Sequence, residues 1–400
     1  MKDKLILQVG LSGFPKGTAA VSRCLMLNGL AVKSDYQVLW LNNKPCFQIT
    51  KEEVIKSHGH FRGIEYIYTS GTAYISSHFI IRRINNLKGL IFEFLKLFYA
   101  GLTSKNNLLI LYPKGTILQL IRYRFISLIT NTPLIIHYVE YRSAHKSRKR
   151  FDLKINDYLF DNFIHKFSDG FIPISTYLEN KIFTRKIDSE RIFRLPSIVD
   201  FGIFTNISKY EQTLDSKYFL FCGGLGYQDS LNLILKSFKK ISFQNNYRLV
   251  LVVSGSKAQI SKLVEDISLY KLNERVDIHS FLDYETLLVK YYHASALLVP
   301  LRNNLQDIAR FPQKISEYSG SGNPIITHNV GDVPIYFENE KSALIADQFD
   351  VDSFSSKMQF VIDNPGKAKE IGLNGKRVGI RYFDSNSYRK PFNDFLKRFF

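Results

Sequence analysis

The feature that most limits what this chain can become is an alternation of strand-length apolar runs with helical patterns, repeated along its length. Apolar runs fall at 5–10, 38–41, 64–68, 108–112, 134–139, 170–174 and 192–195, with helical patterns near 19–30, 79–101, 114–130, 154–167 and 176–187 between them. A second series of runs follows at 218–221, 249–253, 276–280, 296–299, 325–327 and 343–346. Alternation on this scale predicts the α/β class: parallel sheets with helices on both faces. A length of 400 residues is long for one core and suits two domains of about 200 residues each.

Composition narrows the partners. Lys and Arg number 54 against 36 Asp and Glu, a formal charge of +18. Such a balance attracts an anionic partner: nucleic acid, an anionic bilayer or phosphorylated substrates. No recognised nucleic-acid motif accompanies it, and the aromatic residues fall in periodic apolar segments. A membrane surface together with a diphosphate substrate is therefore the better account. No run reaches the roughly 18–20 apolar residues of a membrane helix. The apolar segment over 87–102 is read as a core helix in preference to one dipping into a bilayer. Cys24, Cys46 and Cys222 have neither zinc nor disulfide spacing, which fits the cytosol.

The first strand meets a glycine loop containing Gly10, Gly13, Lys16 and Gly17. Its spacing is not that of a dinucleotide fingerprint, and the second strand ends in Asn42 and Asn43 where a ribose-binding carboxylate would be expected. That argues against NAD, and no cofactor is expected. His137 alternates within an apolar strand and reads as a core residue. The basic segment 142–154 holds six Lys or Arg against one Asp, either as a solvated loop or as a contact for lipid headgroups. Asp350 and Asp352 spell a metal pattern but precede a helix, where a cap is the ordinary role. No metal is expected.

The most informative stretch is DIARFPQKISEYSGSGNPIITHNV, from Asp307 to Val330. It reads as a loop, a helix over 313–319 stopped by Gly320 and Gly322, and a buried strand over 324–327. A carboxylate at Glu317 can accept two hydrogen bonds from a ribose diol. The helix N-terminus around Phe311, Pro312 and Lys314 offers amides to an anion, and Lys314 adds a charge for a diphosphate. The bland alternative is an i,i+3 ion pair between Lys314 and Glu317.

Phe311, Pro312, Lys314, Glu317, Tyr318, Gly322 and Pro324 together resemble the donor-site motif of retaining glycosyltransferases of family 4, of the surface-polysaccharide class. That resemblance implies the GT-B fold: two Rossmann-like, doubly wound parallel-sheet domains facing across a cleft. The first domain is expected over 1–200 with a returning helix over 384–400, and the second, the donor domain, over 201–383. The segment 197–206 resembles the family's crossover between them.

The resemblance implies transfer of a sugar from a nucleotide-diphosphate sugar to a lipid-linked or glycan acceptor, peripheral to the inner face of the plasma membrane. It implies that Glu317, Lys314, Arg310 and Glu140 serve catalysis. Gly13, Lys16, Gly17, Gly224, Arg302, Phe311 and Pro312 join Glu317 in holding the donor. Three positions depart from the pattern. Ala309 stands where the family's first glutamate is usual, and Gly224 and Asp229 stand where it carries Arg and Lys. Arg302, Arg310, Lys314 and Lys16 are the candidates to replace that charge. The departures also keep open a non-catalytic GT-B subunit of an enzyme complex.

Overall fold

The computed structural model describes residues 4–17, 19–48, 54–145, 150–205, 207, 217–242, 246–280 and 282–400. The chain divides into two compact units, one of Met1–Ile198 with Ser385–Phe400 and one of Val199–Asp384.

The first unit runs β1 (Leu5–Val9), α1 (Ala19–Val32), β2 (Gln37–Asn42), β3 (His58–Phe61), β4 (Ile64–Tyr68), α2 (Phe79–Thr103), β5 (Asn107–Leu111), α3 (Ile117–Ile129), β6 (Leu134–Tyr138), α4 (Phe151–Phe163), β7 (Gly170–Pro173) and α5 (Thr176–Phe183). Its seven strands lie in the order β3-β4-β2-β1-β5-β6-β7, all parallel except β3 against β4. Strands buried on both faces read as continuous apolar runs, and β5 and β6 are buried at every position. The core reading of His137 holds: it is 1% exposed, and burial takes its pKa down to about 3.

Three features differ from expectation. The β3–β4 hairpin is absent from the sequence reading; Arg62 and Gly63, at φ 50° and 78°, form a two-residue turn of the kind that suits a hairpin twist. The run 192–195 is not a ladder strand. It follows the edge of β7 through the Phe193 and Leu195 amides and a single bridge at Ile192, and Pro196 ends the pairing. The third difference is α2, which is not a core helix. Its buried residues are Gly89, Glu93 and Leu97, and its apolar stripe faces outward. Glu93 decides which side is turned in: it accepts from Asn43 Nδ2 at 2.9 Å, the Tyr123 hydroxyl at 2.8 Å and Arg122 at 2.9 Å. Burial outweighs these partners and raises its pKa.

The second unit runs β8 (Tyr218–Gly224), α6 (Gln228–Ser242), β9 (Arg248–Ser254), α7 (Lys257–Leu269), β10 (Val276–His279), α8 (Tyr284–His293), β11 (Ala296–Val299), α9 (Leu305–Ala309), α10 (Gln313–Ser321), β12 (Ile325–His328), α11 (Val333–Tyr336), β13 (Leu344–Ala346), α12 (Val351–Asp363) and α13 (Pro365–Phe383). The six strands are all parallel, in the order β10-β9-β8-β11-β12-β13. Phe219, Leu251, Leu298, Phe238, Phe354 and Met358 fill the core between this sheet and its helices. The chain's last helix, α14 (Ser385–Leu396), belongs to the first unit and packs on α1. Asp350 caps α12 by accepting the Ser353 amide at 2.8 Å, the cap role read from the sequence.

Helix α10 continues past Gly320 to Ser321 and stops at Gly322, whose φ of +74° is the left-handed C-cap conformation. Gly320 is therefore inside the helix, where its missing side chain admits the Phe204 ring. The Gly322–Pro324 turn is seated on α13 at Gly372. A Cβ there would lie 2.6 Å from the Asn323 carbonyl carbon, the Gly322 oxygen and the Pro324 nitrogen. Because these are backbone atoms they cannot rotate away, so Gly372→Ala should cost about 1–3 kcal/mol, read as a lowered denaturant midpoint with an unchanged m-value. A midpoint equal to wild type would mean the turn is not held there. The Gly372–Gly375 run is thus packing surface.

Candidate active site

In the second unit the carboxyl ends of β8 and β11 and the helices that follow them collect most of the residues expected to bind a donor. Position one of these is set by α10. Its Tyr318 is fully buried, meets the Tyr291 ring edge-on at 4.8 Å, and accepts the Cys222 amide at 2.9 Å. The helix is thereby fastened to the end of β8. Phe311 is 1% exposed and packs against Tyr336 at 5.4 Å and Phe383 at 5.2 Å. Its ring is core, so what Phe311 offers a ligand is backbone. Pro312, at the N-cap, makes no side-chain cap.

Glu317 is 4% exposed, so it is not a solvated surface carboxylate. Lys314 Nζ reaches one oxygen at 2.6 Å and Gln313 Nε2 the other at 2.9 Å. The i,i+3 ion pair is thus present. Lys314 also donates to the Tyr291 hydroxyl at 2.9 Å. Burial acts to lower the Lys314 pKa, but the charge of Glu317 prevails and raises it.

A second cluster surrounds Asp307, which is 1% exposed. Its Oδ2 accepts from the Arg302 amide and Nε, both at 3.0 Å, and its Oδ1 lies 2.6 Å from Arg310. Asn304 caps α9 and receives the Asp307 amide at 3.0 Å. Asp307 is consequently a clamp on two arginines. The other end of Arg302 meets Asp229 on the first turn of α6 at 3.0 Å. Arg310 lies over the Tyr227 ring at 4.6 Å and donates to its hydroxyl. His328 accepts the Leu301 amide at 3.1 Å and so fixes the chain entering Arg302; burial lowers its pKa to about 4. A Cβ on Gly224 would meet only the Ser254 oxygen, 4.0 Å away. The place is open enough for a basic side chain, so steric crowding does not account for the glycine.

Arg302, Arg310 and Lys314 therefore stand against Asp229, Asp307 and Glu317, and each cation has a carboxylate partner. Sequence reasoning chose the three cations and Glu317 but missed Tyr227, Tyr291, Gln313 and the clamp role of Asp307. Only Gln313 left a readable signal, its i,i+4 spacing to Glu317.

The remaining predicted residues lie in the first unit. Gly13, at φ +119°, is buried, whereas Lys16 and Gly17 are exposed. Asn42 Oδ1 accepts the Gly13 amide at 2.9 Å and the Phe14 amide at 3.1 Å. The asparagine at the strand end thus holds the glycine loop. Glu140 follows β6 and pairs with Arg142 at 2.6 Å. Burial would raise its pKa, but the His145 bond and the Arg142 charge outweigh that and hold it down to about 2. Lys146, Arg148 and Lys149 of the basic segment lie outside the described residues. Among the described residues, no group of three His, Cys, Asp or Glu is placed to hold a metal ion.

Residues 203–378 match the family model described as glycosyl transferases group 1. Over those residues the second unit is similar to group 1 glycosyltransferases. Solved structures extend the likeness over the whole chain. Sucrose-phosphate synthase from Thermosynechococcus elongatus superposes with a TM-score of 0.75 at 15% identity, over 99% of this chain and 98% of that one. Anabaena HepE gives 0.70 at 12% identity, over 99% of each chain. A glycosyltransferase from Rickettsia africae gives 0.69 at 13% identity, over 99% of this chain and 100% of the other. No curated protein matches the chain. The fold is GT-B, as the two sheets and the family resemblance lead one to expect. With the group 1 domain on that fold, the enzyme class is a nucleotide-sugar-dependent glycosyltransferase.

Proposed function

We propose that the protein transfers a sugar, with retention of anomeric configuration and without a metal, to a lipid-linked or glycan acceptor in polysaccharide biosynthesis. The observation that carries this is the buried Glu317 carboxylate on α10, set beside Lys314 and close in sequence to the arginine pair on Asp307. The second unit takes the donor and the first unit the acceptor. The ribose diol replaces Gln313 and Lys314 as the partner of Glu317, and the freed Lys314 turns to the diphosphate with Arg302 and Arg310. The bond from the anomeric carbon to the diphosphate oxygen breaks, and the acceptor hydroxyl bonds to that carbon on the same face. Its proton passes to the departing diphosphate, so no enzymic base is needed. Developing charge on the leaving group is what the three cations stabilise. Glu140 serves the acceptor side. The acceptor places the protein at the inner face of the plasma membrane, where anionic lipid attracts a chain of charge +18.

The test is a melting-temperature screen against nucleotide sugars, since a ligand bound by the native state alone raises the midpoint. UDP sugars head the panel because Anabaena HepE was solved with UDP-glucose. A panel in which no nucleotide sugar shifts the midpoint overturns the proposal. Asp229 supplies a finer check. It holds the Arg302 guanidinium that the diphosphate must reach, through a half-exposed pair of modest strength. Asp229→Asn should tighten nucleoside diphosphate binding by about two- to fivefold, measured by titration calorimetry. Weaker binding would instead make Asp229 a ligand contact.

A further inference from the structure

The outward face of the first unit carries a surface that sugar transfer does not use. On α2, Ile80, Ile84, Leu87, Ile91, Leu95 and Leu102 recur at intervals of three, four and seven and are 49–71% exposed. They form one stripe opposite the buried Gly89, Glu93 and Leu97. Leu118, Phe125 and Leu128 continue it on α3, and Phe151 and Tyr158 on α4, all more than half exposed. The three helices are neighbours. They connect β4 to β5, β5 to β6 and β6 to β7, steps in one direction across the sheet, so right-handed crossovers place them on one face. Isolated exposed apolar residues are ordinary, but three adjoining stripes are not.

The charges on this face identify what covers it. Arg82, Arg83, Lys88 and Lys96 on α2 are exposed, while its one carboxylate, Glu93, is buried. Helix α3 has no acidic residue. The exposed carboxylate of α4, Asp152, is paired with Arg150 at 2.8 Å. Arg83 lies over the Phe79 ring at 4.6 Å and Lys88 over the Phe92 ring at 5.8 Å, so cations and apolar groups are interleaved. A second copy of this chain would bring like charges together. An anionic bilayer would not. No helix among the described residues is long and apolar enough to cross a membrane, which leaves a helix lying in the interface.

We propose that α2, α3 and α4 form a membrane-inserting face, with α2 lying in the plane of the bilayer. Its apolar stripe enters the headgroup–acyl boundary, and Arg83 and Lys88, which flank that stripe, pair with anionic headgroups. The proposal rests on the peripheral attachment argued above and replaces charge alone with apolar insertion as its main source.

Vesicle co-sedimentation of the full chain tests it, using phosphatidylcholine vesicles with and without phosphatidylglycerol. The wild type should bind the anionic vesicles and keep part of that binding in about 1 M salt, where charge attraction is screened within about 3 Å. The triple variant Leu87→Gln, Ile91→Gln, Leu95→Gln should lose on the order of a hundredfold in partitioning. Its melting temperature and nucleotide affinity should not change, since those side chains are already exposed. In Ile91→Trp, vesicle addition should shift the indole emission to the blue. Equal partitioning of the triple variant, or complete release of the wild type by salt, overturns insertion. A wild-type dimer that the triple variant breaks in vesicle-free solution shows that a second copy covers the face, and also overturns it. Vesicle insertion without any nucleotide-sugar binding would instead remove the transferase reading and leave this one standing.

Discussion

Asp307→Ala is expected to destabilise the protein by about 3–5 kcal/mol, the range for removing one partner from a buried ionic cluster. The carboxylate is 1% exposed, accepts two hydrogen bonds from Arg302 and is ion-paired with Arg310. Without it, two guanidinium groups that are each about a quarter exposed lose their common anchor. Asp307→Asn keeps an acceptor for Arg302 but no charge, so it should fall between the two. Nucleotide binding should weaken as well, because the clamp aims both arginines. Denaturant unfolding of the three proteins, followed by calorimetric titration with a nucleoside diphosphate, reads both effects. Wild-type stability in Asp307→Ala would show that the arginines find water instead, and that the cluster does not hold the loop before α10.

Glu317→Ala should abolish measurable sugar transfer and weaken donor binding by about 1.5–3 kcal/mol, as for hydrogen bonds to a charged group. It should also cost stability, because Lys314 loses its ion pair. That loss is smaller than at Asp307, since one cation loses its carboxylate there and two lose theirs at Asp307. Glu317→Gln separates the two effects and carries a pH signature. In the wild type, burial acts against the Lys314 charge but Glu317 outweighs it, leaving the pKa raised above 10.5. A lysine with a raised folded pKa contributes stability in full below its unfolded value and loses it as pH rises through the folded one. In Glu317→Gln the largest influence holding the lysine pKa up is gone, so that pKa falls. The stability gap between the wild type and Glu317→Gln should therefore be full near neutral pH and close above about pH 10.5. A gap constant with pH would mean that the ion pair contributes nothing, and unchanged nucleotide affinity would remove Glu317 from the donor site.

Much of this protein was legible in its residues. Strand runs, the glycine loop, the Asp350 cap and the motif on α10 are local patterns. A strand buried on both faces is apolar throughout, and a cap acts three residues away, so such features are written within a short window. What the window could not show was partnership. Arg302 stands 73 residues from Asp229, and the two meet only because β8 and β11 are neighbours in the sheet. Helix α2 shows the limit most clearly. A period of 3.6 marks an apolar stripe but does not say whether it faces core or surroundings. That was settled by Glu93, whose donors lie 29 to 50 residues away, Asn43 just past β2 and Arg122 and Tyr123 side by side on α3. A buried carboxylate needs those partners, so the helix turns Glu93 inward and its isoleucines and leucines out.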